Sequence, residues 1–202
     1  MFVKIPHSFV SYLPQCKEFM MTLLYLWIES DYLSSGAVRF TLKEISELVS
    51  IEESYRKIRR IRQAISILVK EGLLTLVDIE DINAIKPMQL IKARLDSKKL
   101  YDLESNFVMI SEKNIKSLLL LGFISDSDPA LAINVLYLIA SMAKGYRASF
   151  RISRIATTLG IEESEAYSIV KSLASERLIV KDNSSDDKGN WVVHIHKENK
   201  NA

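Results

Sequence analysis

Two spacings of apolar residues alternate along this chain, and each switch between them marks an element. Residues 19–28, Phe-Met-Met-Thr-Leu-Leu-Tyr-Leu-Trp-Ile, are apolar on nearly every side. They predict a helix over about residues 15–30 that is buried on more than one face. Ser34-Ser35-Gly36 breaks that helix, and Arg39-Phe40 suits a short strand. Thr41 with Glu44 three residues on predicts a capping box, opening a helix of two turns that ends near Val49. The next helix, over about residues 54–71, keeps its isoleucines at helical spacing. At about 100° per residue Ile58, Ile61, Ile65, Leu68 and Val69 share one face. Gly72 is placed to close it in a left-handed conformation. Residues 73–79 and 88–95 then alternate as two strands around a turn at 83–87.

The same order returns in the second half. Phe40-Thr-Leu-Lys-Glu-Ile45-Ser-Glu-Leu-Val49-Ser-Ile51-Glu-Glu-Ser54 aligns without a gap on Phe150-Arg-Ile-Ser-Arg-Ile155-Ala-Thr-Thr-Leu159-Gly-Ile161-Glu-Glu-Ser164. Leu68-Val-Lys-Glu71-Gly-Leu73-Leu74 aligns on Leu173-Ala-Ser-Glu176-Arg-Leu178-Ile179 at an offset five residues smaller, and Phe2-Val-Lys-Ile5 on Phe107-Val-Met-Ile110. Two copies of one module are predicted, residues 1–95 and 106–198, joined by a polar linker at 96–105. Five extra residues fall around the second long helix of the first copy. In the second copy, helices are expected over 110–121, from Pro129 to Lys144 with Gly145 as the stop, over 152–159 and over 163–176. Strands over 178–181 and 191–196 follow, around a polar tip. The fold class expected is mainly α with small β-hairpins, α+β.

Charge adds what periodicity cannot. Net charge is only +2, so any attraction to a polyanion must come from clustering. Residues 54–65 supply such a cluster: Arg56, Lys57, Arg59, Arg60 and Arg62 with no carboxylate, and Arg56, Arg59, Arg60 and Gln63 opposite the isoleucine face. Most solvated helix faces mix the two signs. The corresponding stretch of the second copy reads Glu162-Glu163-Ser164-Glu165, which would repel phosphates; its cations, Lys144, Arg147, Arg151 and Arg154, lie just before.

Other chemistry is thin. With Cys16 as the only cysteine no internal disulfide can form, which fits a reducing, intracellular setting. The first seven residues lack the pattern of a signal peptide, and ten consecutive apolar residues fall short of the roughly 20 that span a bilayer. A cytoplasmic protein with no membrane partner is expected. His194 and His196 share one face of a strand beside Trp191, and His7 is far off in sequence, so ordinary strand histidines are expected and no metal site. Asp182, Asp186 and Asp187 lack the spacing of a calcium loop. None of the six glycines builds a phosphate-binding loop, and no nucleophile has a base beside it. Neither catalysis nor a cofactor is expected.

Helix, short strand, two consecutive helices and a hairpin is an order that resembles the winged-helix family. Ile155-Ala-Thr-Thr-Leu159-Gly160-Ile161 followed by Ile169-Val170-Lys171-Ser172-Leu173 looks like its turn and recognition helix. Two such modules in tandem resemble plasmid and phage replication initiators of the RepA type, with Phe2-Val3-Lys4-Ile5-Pro6 similar to the start of the initiator domain. The DnaD-type primosomal proteins are a looser likeness. The resemblance implies two tandem winged-helix domains, a recognition helix in the major groove of duplex DNA and a wing on the backbone. On that basis Ser54, Tyr55, Arg56, Lys57, Arg59, Arg60, Arg62, Gln63 and Lys86 at the wing tip are the expected DNA contacts. Lys92, Arg94, Lys144, Arg147, Arg151 and Arg154 are secondary candidates for phosphate. A replisome protein is an implied partner, and the second module an assembly or auxiliary unit. A homodimer or higher assembly on DNA is expected from the apolar helix over 15–30. Transcription regulation by the same architecture, and an adaptor gripping an acidic protein with the basic helix, are the alternatives.

Overall fold

The computed structural model describes residues 2–32, 36–48, 55–96, 107–120, 128–182 and 190–195. It is a mixed α+β fold with small antiparallel sheets. The first half runs β1 (Phe2–Pro6), a 3-10 helix (His7–Tyr12), α1 (Phe19–Tyr32), β2 (Ala37–Phe40), α2 (Leu42–Glu47), α3 (Tyr55–Lys70), β3 (Leu74–Leu76), a second 3-10 helix (Ile82–Ala84) and β4 (Ile91–Leu95). The second half runs β5 (Phe107–Ser111), α4 (Glu112–Leu120), α5 (Pro129–Ser141), β6 (Ala143–Lys144), β7 (Arg147–Arg151), α6 (Ile152–Leu159), α7 (Glu163–Ser175), β8 (Val180–Lys181) and β9 (Asn190–His194). No helix among the described residues is long and apolar enough to cross a membrane.

Local chemistry accounts for most boundaries. Thr41 caps α2 by accepting from the Glu44 N–H at 3.1 Å while the Glu44 carboxylate accepts from the Thr41 N–H at 2.6 Å. Asp128 caps α5 with Pro129 at its first position. Gly72 and Gly160 close α3 and α6 with φ near +67° and +65°.

Several expected bounds shift. The first apolar helix starts at Phe19, because residues 13–18 form turns against the 3-10 helix. α4 starts at Glu112, since Ile110 and Ser111 pair in β5. α5 ends at Ser141 and not at Lys144: Ala143 and Lys144 pair with Ala148 and Arg147, and Gly145, at φ +64°, turns that hairpin. The strands around 73–79 and 88–95 contract to β3 and β4, because residues 78–90 fold back on the helices. Val69 leaves the predicted buried face and is 40% exposed; Ala64 takes its place.

The two halves repeat in topology as well as in sequence. Strand order β2-β4-β3 in the first matches β7-β9-β8 in the second, to which β6 adds an edge. α3 and α7 end at equivalent positions, Lys70 and Ser175, but α3 begins three residues earlier. The additional turn is Tyr55-Arg56-Lys57, and the segment between α2 and α3, with Ser54, lies outside the described residues.

The halves share one hydrophobic core. β1 pairs antiparallel with β5, the equivalent strand of the other copy, in a register symmetric about Lys4 and Met109. Those two residues are themselves equivalent at the offset that aligns Phe2 with Phe107, so the pairing is isologous. α5, buried from Pro129 to Ala140, packs against α1. Polar bonds cross the same junction: Lys17 to Asp128 at 2.9 Å, Asn134 Nδ2 to the Lys17 carbonyl at 2.9 Å, and the Tyr137 hydroxyl to the Pro6 carbonyl. The all-round burial of α1 that suggested a dimer is thus met inside one chain. The boundaries at 95 and 106 divide the sequence repeat, and residues 97–106 lie outside the described ones.

Candidate nucleic-acid interface

α3 docks through Ile58, Ile61, Ala64, Ile65 and Leu68 onto α1 and α2. One flank is tied along residues 12–18. The Tyr12 hydroxyl donates to Glu71 Oε1 at 2.5 Å, Gln63 Nε2 to the Gln15 carbonyl at 3.2 Å, and Cys16 Sγ lies 3.3 Å from the Arg60 carbonyl. Arg60 Nη1 reaches Glu18 Oε1 at 3.3 Å. The opposite flank holds the β3–β4 connection, where Arg62 Nη2 donates to the Ile85 carbonyl at 2.5 Å. The Lys43 N–H donates to the Pro87 carbonyl at 3.0 Å.

These contacts sort the cations by role. Arg56 and Arg59 are exposed and have no hydrogen bond or ion pair among the described residues. With Tyr55, 79% exposed, and Lys70 they make the outward row of α3. Arg60 and Arg62 sit on its flanks and carry structural bonds, Gln63 is exposed but spends its amide on Gln15, and Lys57 is half-buried. Lys86 is exposed between two pinned carbonyls, beside α2 and α3 rather than at a projecting tip.

Glu18 explains the position of Arg60. Burial pushes its carboxyl upward, and the Arg60 guanidinium is the main influence pulling it back. Its Oε2 has no hydrogen-bond partner among the described residues. Burial also raises the Cys16 thiol to about 12, with the Glu18 charge adding to it, so this cysteine is an unreactive core residue.

A second cationic surface lies on the sheet. β4 alternates with Ile91, Ala93 and Leu95 inward and Lys92 and Arg94 outward. Arg39 of β2 is outward too, directly opposite Lys92 in the ladder. Like charges so placed are mildly destabilising. Arg39 was not among the expected residues, although the alternation of Val38 and Phe40 toward the core would have put it on the outer face.

In the second half, the exposed N-terminal turns of α7 carry Glu162, Glu163, Glu165, Tyr167 and Ser168. Arg151 Nε donates to Asn190 Oδ1 at 3.1 Å. Lys144, Arg147 and Arg154 come together around a cavity of about 730 Å³. His194 pairs with Asp182 at 2.8 Å, and Asp182 Oδ2 also lies 3.7 Å from Arg147 Nε. His196, Asp186 and Asp187 lie outside the described residues, among which no group of three or more His, Cys, Asp or Glu is placed to hold a metal ion. Comparison of the sequence with protein-family models and with curated proteins gives no match.

Proposed function

We propose that the protein binds duplex DNA, with α3 as the reading element of the first of two tandem winged-helix modules. The observation that carries this is the outward row of α3, where Arg56, Arg59 and Lys70 stand without an interleaved carboxylate on a helix fixed along both flanks. A rigid convex helix with forked cations suits a major groove, where arginine can donate two bonds to guanine O6 and N7. The extra turn Tyr55-Arg56-Lys57 extends the row at the end that enters the groove in helix-turn-helix proteins. Lys86 beside the helix pair, and Arg39, Lys92 and Arg94 on the sheet, are the phosphate contacts in this reading. The acidic α7 supports a division of labour in which the second module assembles copies on adjacent sites or recruits a replisome partner.

Initiation of plasmid or phage replication is the role we attach to this binding, on the likeness of the tandem arrangement to RepA-type initiators. Transcription control would use the same surface, and mapping bound sites to an origin or to promoters separates the two. The test is fluorescence anisotropy with duplexes selected from a random pool. Arg56→Ala and Arg59→Ala should each weaken a selected site by about 1–3 kcal/mol where the arginine bonds to a base. Where it bonds to a phosphate, the substitution lowers the salt slope by about one instead. Unchanged affinity in both variants refutes the reading, and salt-insensitive binding of random duplex refutes its electrostatic basis.

A further inference from the structure

The cations of the second half are gathered into a concave site. Lys144 and Arg147 from the β6–β7 hairpin and Arg154 from α6 line one cleft of about 730 Å³. The first half closes it with His7 and Val10 of the 3-10 helix. Among the described residues no carboxylate lines it. Asp182 satisfies part of the Arg147 charge at 3.7 Å, so the free positive charge rests on Lys144 and Arg154, both exposed and without an ion-pair partner among the described residues. The hydroxyls of Ser149 and Thr158 supply neutral donors, and Val10, Leu138 and Val192 an apolar wall.

Concavity and composition select the ligand class. A duplex takes a helix such as α3 into its major groove, about 12 Å wide, whereas a cleft of about 730 Å³ is too small to admit the duplex itself. A volume of this size lies within the range of small-molecule sites, which combine apolar walls with a few converging polar groups. Cations without carboxylates call for phosphate, and the apolar wall calls for a ring to lie against it. We propose that this cleft binds a phosphorylated small molecule with a ring-bearing body, of the nucleoside diphosphate class. Because His7 and Val10 belong to one half and the cationic residues to the other, the bound ligand bridges the halves at the end of the β1–β5 junction. The proposal does not depend on duplex binding by α3.

Isothermal titration of the full chain with each of the four common nucleoside diphosphates, with adenosine and with pyrophosphate is the experiment. At least one diphosphate should saturate below about 1 mM and bind at least tenfold more tightly than adenosine or pyrophosphate. Lys144→Ala and Arg154→Ala are exposed changes that should not lower the melting temperature and should weaken that ligand about tenfold each. Arg59→Ala should leave it unchanged. A fluorescent diphosphate displaced by its unlabelled form but not by a duplex completes the expected pattern. The proposal is overturned by any one of three results: no saturable binding of any of the four, equal affinity in the Lys144 and Arg154 variants, or displacement by duplex DNA at lower concentration than by the nucleotide. The last result makes the cleft a contact for the DNA backbone.

Discussion

Replacing Arg60 with alanine removes the counter-charge of a carboxylate that has no route to solvent. The Glu18 side chain is 1% exposed, its Oε1 is held by Arg60 at 3.3 Å, and its Oε2 has no partner among the described residues. Breaking a buried pair in this way costs about 3–5 kcal/mol. Arg60 is itself half exposed, so solvent screens the pair and the expected loss is smaller, about 2 kcal/mol at pH 7. For a chain of this length that is a fall in Tm of about 4–8 °C. The sign of the pH dependence follows from Glu18. Burial raises its pKa in the folded state and Arg60 lowers it. A carboxyl raised on folding contributes stability at low pH that is lost as pH rises through the folded pKa, because the native state then binds the proton more tightly than the unfolded chain. Without Arg60 the folded pKa moves further up. The cost of Arg60→Ala should therefore be largest at neutral pH and shrink as Glu18 protonates on acidification. Urea unfolding of wild type and variant at pH 7 and pH 5 measures it, and Glu18→Gln in both backgrounds should abolish the pH dependence of the difference. The reasoning is wrong if Arg60→Ala costs under about 0.5 kcal/mol at pH 7 or the same at both pH values. Arg59→Ala is the contrast. It should stay within about 0.5 kcal/mol of wild type in stability while losing affinity for DNA.

Thr41→Ala removes the hydroxyl half of the capping box at the start of α2 and should cost about 1 kcal/mol by urea unfolding, with Thr41→Ser restoring most of it. Gly36→Ala places a Cβ 2.8 Å from the Leu95 carbonyl oxygen at φ +69° and should cost about 2–3 kcal/mol. Gly160→Ala has the same backbone sign with nothing within 4 Å, so its cost of about 1 kcal/mol isolates the conformational part; equal losses at both glycines would refute the clash. Arg39→Thr relieves the like charge opposite Lys92 and should stabilise by a few tenths of a kcal/mol, about 0.2–1, while weakening duplex binding. Stabilisation with unchanged affinity would show that the sheet row makes no contact with DNA.

What could be read from the sequence was local. The capping box, Gly72 closing α3, Pro129 at the start of α5 and four of the five residues of the buried stripe of α3 each depend on residues within one or two turns of one another, and each lies where spacing puts it. The repeat marked the same order of elements in both halves, and their strand orders match. Pairings between distant segments have no such signature. The repeat marked residues 2–5 and 107–110 as equivalent, but equivalence does not say that two strands will face each other. Arg60 looked like its neighbours Arg56 and Arg59 because the partner that distinguishes it, Glu18, lies 42 residues earlier in the chain. The helix projected to Lys144 failed for a related reason: residues 142–144 have fair helical propensity, and pairing with β7 overrides it.

The two halves show how one topology can hold its cations in opposite shapes. In the first, Glu44 helps to cap α2, and its counterpart in the second half is Arg154; Thr41 is likewise replaced by Arg151, and α6 has no side-chain cap. The second half thus lacks a cap worth about 1 kcal/mol and carries two cations at the start of the helix instead. A cation at a helix N-terminus opposes the macrodipole, which adds a further small cost. Neither loss is offset by an intramolecular ion pair, since Arg154 has none among the described residues. The first half accepts a comparable penalty where Arg39 faces Lys92 across the sheet. Cations held against local stability, on the outer sheet of the first half and around Arg154 in the second, suit the anionic partners proposed for both surfaces. Stability measured with rising sulfate or phosphate should then climb faster for wild type than for Arg154→Ala, by the mass-action gain that ligand binding to the native state alone produces.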